Sequence, residues 1–166
     1  MSPVSLMYLL TDANILIDLA QANALYLLQL VTRTGIATVT IPYCVYEEAR
    51  LEITEAQILE LGISMIHVPM EITIKAVTMD EKGLSDTDKT LLLLAMKHRY
   101  ALWMNDAALH KKCKAYDVSA YWEFEVLQKL YKAQHITADV LLALADTLET
   151  INPRMKGIRE RLSKDL

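Results

Sequence analysis

Two short apolar runs in this chain stop at an aspartate, and a segment with helical spacing follows each. Val4-Ser-Leu-Met-Tyr-Leu-Leu-Thr11 ends at Asp12, and Ala101-Leu-Trp-Met-Asn105 ends at Asp106. Both are too short for an ordinary helix, and continuous apolar runs of this length read as buried parallel strands. Strand followed by helix, repeated along a chain, restricts it to right-handed crossovers and a parallel sheet covered on both faces.

The same alternation fills the rest of the sequence. Ile15, Leu16 and Leu19, then Leu25, Leu27, Leu28, Leu30 and Val31, recur at helical spacing, with Asn23 as a break or cap. Residues 35–42 are rich in β-branched side chains and predict a strand that Pro42 closes. Residues 43–57 predict a helix, with Glu60 in it or in its successor, 63–68 a strand closed by Pro69, and 71–79 a helix. The polar loop 80–88 opens a helix that runs to about His98. Residues 117–121 read as a short edge strand, and 123–134, 138–149 and 153–163 as helices, with Thr137 and Asn152 as caps and Pro153 at a first helical position. The expected fold is a three-layer α/β/α domain, residues 1–122, around a mostly parallel sheet of four to five strands. Residues 123–166 are expected to be a C-terminal helical extension packed on the same domain.

Composition excludes several classes. A chain of 166 residues, 53% apolar, with four Gly and four Pro, can bury a core and is neither disordered nor loop-rich. Cys44 and Cys113 form no CxxC pair and have no second Cys/His pair, which predicts reduced thiols and no zinc site. No apolar stretch approaches the roughly 20 residues that cross a bilayer, and no secretory signal is visible. A cytoplasmic protein without a membrane is the expectation. The net charge of −4 argues against a general basic coat for nucleic acid, but not against carboxylates gathered at one site and basic residues on its rim.

In open parallel sheets ligands gather outside the carboxyl ends of the strands. If the strands before Asp12 and Asp106 are both central, both carboxylates leave the same edge. Asp88 lies in the first turn of the helix feeding the second strand, and Glu48 one and a half turns into the helix after Pro42. Two unit charges at about 4 Å repel by roughly 1 kcal/mol in water and about 4 kcal/mol at an effective dielectric of 20. Such a group raises its pKa values or takes up a cation. All-oxygen ligation suits Mg²⁺ or Mn²⁺, and the chemistry such an ion favours here is phosphodiester hydrolysis.

The same acids also fit purely structural duties. Asp12 and Asp106 stand where N-caps stand, Ser85-Asp-Thr-Asp88 has the form of a capping box, and Glu48 alone is an ordinary solvated helix residue. Capping and cation binding are compatible. Adjacent helix residues do not share a face, so only one of Glu47 and Glu48 turns to the site. Glu48 is preferred because Val45, Ala49 and Ile53 flank its side. Asp18 is expected to point elsewhere on its helix, and Asp86 is a supporting or alternative ligand.

Four segments in this order resemble the PIN domain nuclease family. They are Leu9-Leu-Thr-Asp12-Ala-Asn14-Ile-Leu-Ile-Asp18, Ile41-Pro-Tyr-Cys-Val-Tyr-Glu-Glu48-Ala, Leu84-Ser-Asp-Thr-Asp88 with the leucine run to Ala95, and Trp103-Met-Asn105-Asp106-Ala-Ala-Leu. The resemblance covers residues 6 to 118. It implies that Asp12, Asp88 and Asp106 bind Mg²⁺ or Mn²⁺, that Glu48 is a ligand or proton acceptor, and that Asn14 and Asn105 support them. It further implies endoribonucleolytic cleavage of RNA, and for VapC-like members a toxin held inactive by a small antitoxin. Lys97, Arg99, Lys111, Lys112 and Lys114 are the expected rim for the strand, or else solvated helix faces. The chain departs from the family pattern at Met104, where a Thr is usual, in the displacement of the basic residue after Asn105-Asp106 to His110 or Lys111, and in its long tail. Those departures, with the acidic net charge, leave a catalytically weak binding or regulatory module as the alternative. A structure-specific DNA nuclease ranks lower. The apolar stripes Leu127, Leu130, Tyr131 and Leu141, Leu144, Leu148 are read as core, with a homodimer or antitoxin contact as the other option.

Overall fold

The structure, a computed structural model, describes residues 8–166. The predicted first strand begins at Val4, and its part before Tyr8 lies outside the described residues. The described residues form five strands: β1 (Tyr8–Thr11), β2 (Thr38–Pro42), β3 (Ser64–Ile66), β4 (Ala101–Trp103) and β5 (Ala120–Tyr121). Their order is β3-β2-β1-β4-β5, and every neighbouring pair is parallel. The sheet is therefore wholly parallel, as expected when each crossover carries a helix. Central β1 pairs with β4, Leu10 beside Leu102 and Thr11 beside Trp103. Parallel neighbours in this register deliver Asp12 and Asp106 to one edge.

The helices are α1 (Ala13–Gln21), α2 (Tyr26–Arg33), α3 (Tyr43–Ala49), α4 (Glu55–Glu60), α5 (Met70–Thr78), α6 (Asp86–His98), α7 (Ala107–Ala115), α8 (Glu123–Lys132), α9 (Ala138–Ile151) and α10 (Ile158–Ser163). Asn23 takes a left-handed conformation (φ 53°) between α1 and α2, the break its position predicts. The helix predicted over 43–57 is two helices. Thr54 makes a capping box with Gln57, with bonds of 3.2 and 2.8 Å, so a new helix starts there. The last predicted helix is also divided. Pro153–Met155 is a 3-10 turn capped by Asn152, and Gly157 (φ 87°) turns the chain before α10.

One core runs from Leu9 to Leu162. Leu9, Leu10 and Trp103 are wholly buried in the sheet, and Leu91 to Ala95 are buried along α6. The tail belongs to the same core: α9 packs on α1, α8 and α10. Leu127, Leu130, Leu141, Leu144 and Leu148 are buried and Tyr131 is half-buried, so these stripes are core and not a free docking face. Cys113 is buried, Cys44 is half-buried, and both are free thiols. Among the described residues no single helix is long and apolar enough to cross a membrane.

Candidate active site

Asp12 ends β1 and caps α1. Its Oδ1 accepts the Ile15 N–H at 2.9 Å, and its own N–H donates to the Trp103 carbonyl at 3.1 Å, which ties it to the end of β4. Only 5% of it is exposed. Burial lifts its pKa from 3.8 to about 7; the Ile15 and Asn105 N–H groups oppose the rise, and the charges of Asp88 and Asp18 add to it.

Asp88 is the hub of the group. It sits at the third position of α6, where its Oδ2 accepts the Ser85 N–H at 3.2 Å and its N–H donates to Ser85 Oγ at 3.1 Å. Burial raises its pKa first; bonds to Ser85 oppose that, and the charges of Asp106 and Glu48 raise it further. Asp106 caps α7, its Oδ1 accepting the Leu109 N–H at 2.9 Å, while its Oδ2 lies 3.8 Å from Arg154 Nη1. Glu48 turns to α6, where its Oε1 accepts from Thr87 Oγ1 at 2.6 Å. Glu47 pairs with Arg50 at 3.3 Å instead. Acids from four parts of the chain thus lie toward the carboxyl edge of β1 and β4, where the charges of Asp106 and Glu48 act on Asp88 and that of Asp88 acts on Asp12.

The donor set is all oxygen and its charge is undercompensated, which suits a hard divalent cation. Among the described residues no three His, Cys, Asp or Glu side chains are close enough to hold an ion by themselves. Mg²⁺ needs fewer, since one or two carboxylates, waters and a substrate phosphate complete its shell. Asp12 and Asp88, with Asp106 beside them, fit that pattern.

Other expected residues fall elsewhere. Asp86 is exposed and its Oδ1 lies 3.9 Å from Lys89 Nζ. Asn14 is exposed and shares a small cavity with Asp18, Asn105, Asn152 and Arg154. The expected rim needs correction. Helix α6 runs from the acidic edge back to the start of β4, so Lys97 and Arg99 emerge at the opposite edge of the sheet. There Lys97 pairs with Glu71 at 2.5 Å, and Arg99 caps the helix in a left-handed conformation. Lys112 pairs with Glu81 at 2.6 Å, Lys114 lies by Asp117 in a separate cleft, and Lys111 is exposed on α7. Cations of the tail stand on the side of Asp106 instead: Arg154, Lys156 and Arg161 line one cavity with it.

The sequence reading missed a second polar group beneath the site. Glu123, at the start of α8, is wholly buried. Its Oε2 accepts from Asn105 Nδ2 at 3.3 Å. Burial pushes its pKa up to about 10, helped by the charge of Asp18, a hydrogen bond with Asp18 and the charge of Asp12. Asp18 does not point away: it is 5% exposed, and its Oδ2 accepts from Asn152 Nδ2 at 2.8 Å. Asn105 Nδ2 also contacts Met155 Sδ. The tail is therefore bonded to the residues behind Asp12. Asn152 was readable as a cap; its bond to Asp18, 134 residues earlier, has no local signal.

No family model and no curated protein matches the sequence. Among solved structures, the chain is similar to a PilT N-terminus domain protein from the archaeon Sulfolobus solfataricus P2, with a TM-score of 0.50 and 14% identity, over 74% of this chain and 92% of that one. At that identity the likeness is one of fold: the chain has a PIN-like three-layer α/β/α architecture with a wholly parallel five-stranded sheet.

Proposed function

We propose that this protein is a metal-dependent endoribonuclease that hydrolyses RNA phosphodiester bonds at the edge formed by Asp12, Asp88 and Asp106. One observation carries the reading. Acids from the ends of two adjacent parallel strands and from the start of α6 share an edge, and burial with neighbouring charge holds Asp12 near pKa 7. Asp12, Asp88 and Asp106 would hold Mg²⁺ or Mn²⁺. When bound, such an ion supplies Lewis-acid stabilisation of phosphate charge. Glu48, anchored by Thr87, would accept a proton from the attacking water. The Ile15 and Asn105 N–H groups fix Asp12, and Ser85 fixes Asp88. The N-terminus of α7 favours the negative charge that builds on the phosphate.

Cleavage of a single-stranded RNA oligonucleotide with Mn²⁺ tests this. Activity is expected with the ion and lost with EDTA and in Asp12→Asn and Asp106→Asn; cleavage that ignores EDTA or survives both substitutions refutes it. A matched DNA oligonucleotide separates the ribonuclease from the DNA nuclease.

A second reading is a binding or regulatory module with weak or no catalysis. Arg154 favours it, since it already stands as counter-ion to Asp106, as does the lack of any three-residue ion cage among the described residues. No Mn²⁺ binding near millimolar concentration would select it. Either reading carries a small antitoxin protein or a second copy of the chain as partner. Met70, Ile74 and Val77, exposed on one face of α5, support such a contact.

A further inference from the structure

We propose that the cavity between the start of α7 and the tail is a nucleotide-binding subsite, which takes a nucleotide flanking the cleaved phosphate. The proposal rests on the nuclease reading for the identity of its ligand, but the binding it predicts does not need cleavage.

The cavity holds about 690 Å³, within the size range of small-molecule sites. Three kinds of recognition converge on it. The first is charge: Arg154, Lys156 and Arg161 all line it, in a chain whose net charge is −4. Two of these cations are held in place. Arg154 follows the Asn152 cap, whose Oδ1 accepts its N–H at 3.0 Å, and its guanidinium pairs with Asp106. The Arg161 guanidinium lies over the Phe124 ring, 4.5 Å from the centroid. A guanidinium fixed in this way suits bidentate phosphate recognition.

The second is the opening turn of α7. Ala107 and Ala108 line the cavity, and helix geometry leaves N–H groups at these positions without intrahelical acceptors. Together they favour an anion. The third is Trp122, half-buried in the wall, with His110 stacked on one face at 4.1 Å between centroids and 11° between planes. A ring braced on one side is a platform for a base on the other, and such stacking contributes roughly 1–3 kcal/mol per base in single-strand binders.

The cavity adjoins the acids through Asn105 and Asp106. A strand with one phosphate at the acids would therefore lay its next nucleotide against the tail. This assigns the tail the strand-gripping role that the sequence gives to Lys97 and Arg99, which lie at the far edge.

Calorimetric titration of AMP into the full-length protein in EDTA tests the proposal, with adenosine and inorganic phosphate as separate arms. Saturable AMP binding is expected, at least about tenfold tighter than either arm, because phosphate and base contacts add. Arg154→Ala and Arg161→Ala should each weaken it about tenfold, the loss of a charge-assisted phosphate contact. Trp122→Phe should retain it and Trp122→Ala should lose the advantage over phosphate; should the alanine variant not fold, the two arginine variants carry the test. The proposal is overturned by no saturable binding up to about 10 mM AMP, by binding unchanged in both arginine variants, or by phosphate binding as tightly as AMP. Mn²⁺-dependent RNA cleavage without AMP binding would remove the subsite and leave the nuclease. AMP binding without cleavage would do the reverse.

Discussion

Arg154 Nη1 stands 3.8 Å from Asp106 Oδ2, so a residue of the tail is the counter-ion of an acid at the sheet edge. Arg154 is exposed and Asp106 half-buried, the contact is long, and Arg154→Ala is expected to change stability by about 1 kcal/mol or less. Its effect on cation binding should be larger. Removing a positive charge beside the site is expected to tighten Mn²⁺ binding about fivefold at low ionic strength, the equivalent of about 1 kcal/mol, and less at high salt. Calorimetry at two salt concentrations checks this. An unchanged affinity in both would separate Asp106 from the ion.

Asp12 and Glu123 predict an unusual pH dependence. Their folded pKa values, about 7 and about 10, lie above their ordinary values of 3.8 and 4.5. Between those limits the folded chain holds protons that the unfolded chain has lost, so stability falls as pH rises. Without divalent cations, the melting temperature should therefore be higher near about pH 5 than near pH 8. Glu123→Gln should remove most of the decline above about pH 7, where only Glu123 still contributes. Differential scanning calorimetry across that range would show it; a flat or rising profile contradicts the buried-acid account.

Asp12→Asn separates the two duties of Asp12. Asparagine is an equally good N-cap, and the substitution removes a buried charge. The expected result is an unchanged or raised melting temperature near neutral pH, with RNA cleavage reduced at least about a hundredfold, the range seen when one charge-stabilising group is removed from an active site. A variant that cleaves normally would make Asp12 a cap alone.

The fold and the acidic edge were readable because their signals are local. Apolar runs that stop at Asp12 and Asp106 mark two strand ends, and Ser85-Asp-Thr-Asp88 marks a helix start. Thr54 and Gln57 are an equally local signal for the second helix start, and Gly157 for the turn before α10. Lys97 and Arg99 were misplaced because basic character was read without following the direction of α6. Glu123 was not readable as a site residue. Acids are common in first helical turns, and what distinguishes this one is total burial against Asn105 and Asp18, set by how the tail docks.

That docking is itself testable at Asn152. Its side chain donates to Asp18 and caps the turn that carries Arg154. Asn152→Ala removes both bonds and leaves a buried carboxylate oxygen without that donor, and it should cost about 1–3 kcal/mol. Urea denaturation measures the loss. It should be accompanied by weaker AMP binding, since Arg154 loses its anchor. A loss of under about 0.5 kcal/mol, the range of ordinary surface substitutions, would mean that the tail is held by its apolar contacts alone.

Mn²⁺ binding followed by electron paramagnetic resonance tests the shared acidic edge most directly. The free ion's signal should fall with a saturable profile in the unaltered protein, and the effect should be lost in Asp88→Asn, the acid on which the other charges act. Saturable binding of equal strength in Asp88→Asn, or none in the unaltered protein, would contradict the account.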